Sequence, residues 1–255
     1  MTMIIQELET YFSELLSLER FAAADSSMNG LQVGVPGNRV KKVGFAVDAC
    51  MESFRRCREL GCDVLFVHHG LFWGKPVRVT GSHYDRLKFL MDSGMGLLAA
   101  HLPLDQHPEF GNNAGIVKAL GLEDVKEFGD YRGIRIGYKG RFPEPRKIGE
   151  ALRMCGLTEQ TALSILPFGP EEISTVGVIS GGAAYDVHQA VDEHLDLYIT
   201  GEETHSVYHF CLEEGINMVA GGHYNTEIWG VRALGEKLAA DTGLETVFID
   251  IPSGL

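Results

Sequence analysis

The chain has 255 residues, 45% of them apolar, and a formal net charge of −13 at neutral pH. That length permits one large domain or two lobes around a substantial core, and the acidic balance argues against nucleic acid or an anionic membrane surface as partner. No apolar run approaches the roughly 20 residues needed to span a bilayer. The five cysteines, odd in number and without a CxxC pair, read as reduced packing residues of a cytoplasmic protein.

In chain order, MTMIIQELETYFSELLSLERF is charged throughout and reads as an amphipathic helix rather than a signal peptide. Asn29-Gly30, within SMNGLQVG (27–34), marks a turn. Apolar runs and helical stretches then alternate: VGFAV (43–47), a helix near 50–60, VLFV (64–67), a helix near 83–93, and GLLAA (96–100). HPEFGNN (107–113) offers Asn112 or Asn113 as a helix cap. The stretch from about 123 to 172, broken by Gly and Pro, predicts a hairpin and a helix. VGVIS (176–180), a helix near 184–194, LYIT (197–200), a helix near 204–214 and NMVAG (217–221) complete the pattern.

This is βαβαβ twice, an α/β fold of two pseudo-repeated lobes with mainly parallel sheets and helices on the faces. Lobe one spans about 1–122, the connecting segment about 123–172 and lobe two about 173–255. Val43-Gly44 matches Val176-Gly177, and Asp63 matches Asp196. His101 with Asp105 matches His223 with Glu227, each pair ending a third strand as His-x-x-x-acid.

In an open parallel sheet, functional groups gather beyond the carboxyl ends of the strands. His68-His69, His101-x3-Asp105, Glu202-Glu203-x-His205 and His223-x3-Glu227 all fall there. Neighbours within a strand point to opposite faces, but a turn at Gly70 lets both imidazoles of His68-His69 address one cavity. One strand-end histidine is commonly a hydrogen-bonded loop residue; four such clusters at equivalent strand ends favour a metal site. Nitrogen and carboxylate ligands without thiolate suit zinc, iron, manganese, nickel or cobalt. Gly181-Gly182 is compatible with a phosphate at a helix N-terminus or with a plain tight turn. Phe72 and Trp73 suit either a flat ligand or core packing. His107, beside Pro108, is expected at the pocket rim or in solvent without a metal bond.

At NGLQVG (29–34), VHHGLFW (67–73), HLPLDQHPEFGNNA (101–114), ITGE (199–202), AGGHYNTE (220–227) and FIDIP (248–252), the sequence resembles the family known as GTP cyclohydrolase I type 2, or Nif-three-like proteins. The resemblance runs nearly end to end and matches the short form, which lacks a ferredoxin-like insertion. It implies a single Nif-three-like unit with a dinuclear centre, two divalent ions per subunit, held by His68, His69, Asp105, His223 and Glu227. It places His101 and Glu202 at site-lining positions, with His205 and His209 as neighbours after the TGE motif. It further implies a toroidal homohexamer and, from the family name, a metal-activated water attacking a nucleotide ring or similar bond, with His101 or His205 moving protons. Hydrolysis of another substrate, such as a phosphoester or an amide, and a non-enzymatic metal-binding, metal-delivery or partner-binding ring, remain the alternatives. The metals are expected between the two pseudo-repeats, with Glu227 bridging them.

Overall fold

The computed structural model describes residues 2–255. The chain runs β1 (Met3–Ile4), α1 (Ile5–Leu16), β2 (Gly30–Val33), β3 (Arg39–Val40), β4 (Lys42–Asp48), α2 (Met51–Glu59), β5 (Val64–His69), α3 (Gly81–Ser93), β6 (Gly96–Ala99), α4 (Leu102–Gln106) and α5 (Asn112–Leu120). It continues with β7 (Glu123–Tyr131), β8 (Ile134–Arg146), α6 (Ile148–Met154), β9 (Ser164–Pro167) and β10 (Ile173–Val178). The last elements are α7 (Val187–Asp192), β11 (Leu197–Thr200), α8 (His205–Glu214), β12 (Asn217–Ala220), α9 (His223–Thr242) and β13 (Glu245–Phe248).

Two compact units result. One runs to Leu104 and takes in Gly230–Ile251; the other is Asp105–Trp229 with Pro252–Leu255. Their edges do not coincide with 122 and 173. The reason is that β13 returns to pair with β4 in the first sheet, while the 123–172 segment adds strands to the second.

The first unit's sheet has the order β13-β4-β5-β6-β2, parallel except for β2, which pairs antiparallel with β6. Period-two alternation divides its residues between two faces. Phe45 and Phe66, paired across β4 and β5, lie near Phe12 of α1, with the Phe12 and Phe66 ring centroids 4.6 Å apart. Their neighbours Ala46 and Val67 join Phe54, Leu65, Leu87, Leu90 and Leu97 in a second cluster. Helix α1 buries Ile5, Leu8, Phe12 and Leu16, the spacing of one helical face.

The second sheet, β7-β8-β10-β11-β12-β9, keeps β10, β11 and β12 parallel and flanks them with antiparallel neighbours. The hairpin β7–β8 turns at Arg132-Gly133, both with positive φ (54° and 85°), as a two-residue type I′ turn demands. Its core includes Ile116, Leu120, Tyr138, Phe142, Val176, Val178 and Ile199.

The internal repeat has a physical counterpart. Asp63 Oδ2 accepts the Lys41 and Lys42 N–H groups at 2.7 and 3.1 Å. Asp196 Oδ2 accepts those of Ser174 and Thr175, both at 2.9 Å. In each unit an aspartate preceding the second strand thus fastens the entry of the first. Among the described residues, no helix is long and apolar enough to cross a membrane.

Candidate metal centre

The first unit supplies a histidine cluster. Strand β5 extends through His69, whose Cα pairs with that of Asp48, and the rings of His68 and His69 lie with centroids 4.6 Å apart. His101, just past β6, brings its ring 5.1 Å from that of His68. The three residues each offer a nitrogen within 4.8 Å of the others, so the group can hold a metal ion.

Every ring is fixed through Nδ1. His68 Nδ1 meets the Ala100 carbonyl at 3.0 Å, His69 Nδ1 meets Asp48 Oδ1 at 2.9 Å, and His101 Nδ1 meets Asp25 Oδ1 at 2.9 Å. A carbonyl or carboxylate only accepts, so each Nδ1 carries the proton and Nε2 is the basic nitrogen. This outer hydrogen bond is the usual orienting device of ligating histidines.

Residues without an evident role in the sequence build that frame. Burial alone would raise the Asp25 pKa, but its hydrogen bond and ion pair with His101, helped by Asn29 and the Ser27 N–H, hold it below the ordinary carboxylate range. Asn29 Oδ1 accepts the His101 N–H at 2.9 Å, and Asn29 Nδ2 donates to Asp25 Oδ2 at 2.9 Å. Gln32 Oε1 accepts the Leu71 N–H at 2.7 Å, and a Cβ on Gly70 would collide with that amide. The NGLQVG stretch is therefore the clamp that holds the histidine loops. Trp73 donates from Nε1 to the Gly70 carbonyl at 3.0 Å and sets its ring edge-on to His101, centroids 5.0 Å apart.

The second unit supplies acids. Asp105 and Glu227 are 6% and 2% exposed, and each offers a carboxylate oxygen within 4.8 Å of the other. Two carboxylates that close and that buried repel when both are ionised, so a neighbouring cation or a shared proton must compensate them. Asp105 Oδ1 accepts from Asn112 Nδ2 and Ser180 Oγ, both at 2.9 Å. Glu227 Oε1 meets His223 Nε2 at 3.1 Å, while His223 Nδ1 meets Glu202 Oε1 at 2.6 Å. Burial opposes charge on His223, but hydrogen bonds to Glu227 and Glu202 outweigh it and push the pKa up to about 9.

The local backbone makes this possible. Gly181 sits at φ +68°, and a Cβ there would collide with the Glu227 carboxylate. Its N–H donates to Thr226 Oγ1 at 3.0 Å. The Gly-Gly pair is thus a tight turn leaving room for an acid, and α7 beyond it has only 6 residues. Asn112 and Asn113 do not cap α5, whose N-cap is Gly111. They turn inward, Asn112 to Asp105 and Asn113 to the Asp105 and Ile136 carbonyls and the Ser180 N–H.

Glu202 holds His223. His205 and His209 are exposed on α8, His209 edge-on to Tyr208, and among the described residues neither joins a ligand group. His107 uses Nδ1 to accept the Glu109 and Phe110 N–H groups at 3.2 and 3.1 Å, a turn-forming role.

Imidazole Nε2 atoms and buried carboxylates fit a first-row divalent cation. The fold and these groups define an α/β protein with strand-end histidines and acids able to bind metal. The family model described as Duf34/NIF3 (NGG1p interacting factor 3) matches residues 3–253, and the chain belongs to that family. It is 39% identical to the GTP cyclohydrolase 1 type 2 homolog of Treponema pallidum, covering 99% of this chain and 100% of the relative. Identity to the homolog of the same name from Archaeoglobus fulgidus is 41%, with the same coverage. The crystal structure of TTHA1606 from Thermus thermophilus superposes with a TM-score of 0.88 at 41% identity, covering 99% of this chain and 100% of that one.

Proposed function

We propose that His68, His69, Asp105, His223 and Glu227 hold two divalent metal ions and that the protein is a metal-dependent hydrolase of a small molecule. The relatives' shared name makes nucleotide ring opening the first substrate class to test. The observation that carries this reading is the locking of His68 and His69 through Nδ1, which assigns Nε2 as their coordinating nitrogen.

Two ions with about three protein bonds each need roughly six. Three imidazoles and two carboxylates reach that number when one acid spans both ions, and Glu227 has the longer arm. His68, His69, Asp105 and His223 would complete the two ligand sets. Bound divalent ions supply Lewis acidity and lower the pKa of water. The chain's own part is orientation and proton movement. Asp25 aims His101 to take or return a proton, and Glu202 aims His223. Exposed His205 is the weaker relay. Six subunits closing a ring would suit the cyclic symmetry common among oligomers; light scattering should report about six times 28.0 kDa, and a monomer across micromolar concentrations would contradict it.

The central test is a metabolite and nucleotide screen on metal-reconstituted protein, with Glu227→Gln as the blank. Turnover lost in the variant supports the hydrolase. Full metal exchange with no turnover across the panel would replace it with a metal-delivery or binding role. Metal analysis tests the ligand scheme: Glu227→Gln should deplete both ions and Asp105→Asn chiefly one. One ion fully retained in Glu227→Gln would remove Glu227 from the bridging position.

A further inference from the structure

Away from the metal centre, the end of α2 brings two thiols together. Leu60 caps the helix, Gly61 takes φ +69°, and the Cys62 N–H donates to the Cys57 carbonyl at 3.0 Å. This is a Schellman closure, the helix ending in which the side chains at its two hydrogen-bonded positions meet. Here those side chains are Cys57 and Cys62, and the Cys57 thiol donates to the Val64 carbonyl at 3.8 Å. Both sulfurs also press on Gly44 of β4, where a Cβ would lie 3.0 Å from Cys57 Sγ and 3.4 Å from Cys62 Sγ.

The pair is asymmetric. Cys57 is fully buried and Cys62 is 9% exposed. The neighbouring Cys57 thiol, reinforced by the Lys42 ammonium, lowers the Cys62 pKa against the effect of burial. The neighbouring Cys62 sulfur and burial push Cys57 up. Burial pushes Cys155 up to about 12 and Cys211 up to about 11. Since the thiolate is the reactive form, Cys62 stands apart from these three.

We propose that Cys57 and Cys62 are a reversible dithiol–disulfide pair oxidised by hydroperoxides, with Cys62 attacking and Cys57 resolving. The Cys62 thiolate attacks the terminal peroxide oxygen, the O–O bond breaks, and the alkoxide leaves and is protonated to an alcohol. Cys62 is thereby oxidised to a sulfenic acid. The Cys57 sulfur then attacks the Cys62 sulfur, the S–O bond breaks, and hydroxide departs with the Cys57 proton as water. Two thiols and one hydroperoxide become one disulfide, one alcohol and one water. Exchange with a small dithiol reverses the oxidation.

The test exposes the full-length, folded chain to tert-butyl hydroperoxide, alkylates the remaining thiols and maps each cysteine by mass spectrometry. The alkylatable thiols should fall from five to three, with the loss confined to Cys57 and Cys62 and reversed by dithiothreitol. Cys57→Ser should stop at a dimedone-reactive sulfenic acid on Cys62, and Cys62→Ser should keep Cys57 reduced. The mapping on the unmutated chain is decisive without either variant. Cys57 and Cys62 still fully alkylated while Cys50 or Cys155 is oxidised would overturn the proposal, as would a mixed pair between Cys62 and any other cysteine.

Discussion

The histidine cluster of the first unit and the acid cluster of the second are built on different electrostatic terms. In the first, rings are oriented by acceptors on Nδ1: one carbonyl and two carboxylates. Nothing in that arrangement demands a cation. In the second, two buried carboxylates approach each other, with neutral Asn112 and Ser180 donating to Asp105 and one imidazole beside Glu227. That arrangement depends on positive charge. The lesson is that orientation alone organises one cluster, whereas charge compensation organises the other.

Metal removal should have the largest effect and should divide the two. An ion present at about a thousand times its Kd stabilises by about 4 kcal/mol, so chelation should lower Tm by on the order of 10 °C for a chain of this size. Hydrogen exchange after chelation should rise more at 180–182 and 223–229 than along β5. Equal loosening of both clusters would erase the distinction.

Next in size are the orienting partners. Asp48→Ala removes the acceptor of His69 Nδ1 and should weaken metal binding about 10–100-fold, the usual range for such partners. Titration with a chromogenic chelator measures it; unchanged affinity would mean that packing alone holds the ring. In the acid cluster, Asn112→Ala removes a donor to a buried carboxylate and should cost about 1–3 kcal/mol. Denaturant unfolding of the metal-free protein reads that loss, and added metal should shrink it. The smallest expected effect is at the exposed His209, where replacement by Ala should leave bound metal and midpoint unchanged; metal loss there would enlarge the site beyond the two clusters.

Much of this was legible in the sequence. Apolar runs with turn residues between them located the strands β4, β5, β6, β10, β11 and β12, and the strand-end histidines and acids stand where parallel sheets carry chemistry. The supporting partners were not legible, because a contact such as Asp25 to His101 spans 76 positions and no periodicity marks it. Asn112 and Asn113 looked like caps since their residue type favours that role; tertiary donors and acceptors claimed their amides instead. The return of β13 to the first sheet was equally hidden. A short apolar strand carries no label for the sheet it joins.

The chain contains two tryptophans, and each reports on a different unit. Trp73 stands 5.0 Å from the His101 ring, whereas Trp229 packs over Gly115 in the second unit, where a Cβ would lie 2.7 Å from it. The emission of Trp73 is therefore an optical readout of the histidine cluster, sensitive to any paramagnetic or charged species that settles beside it. Trp229 reports on the second unit within the same spectrum. With Trp73→Phe as the subtraction, occupancy can be followed in real time without a dye, a label or a known substrate.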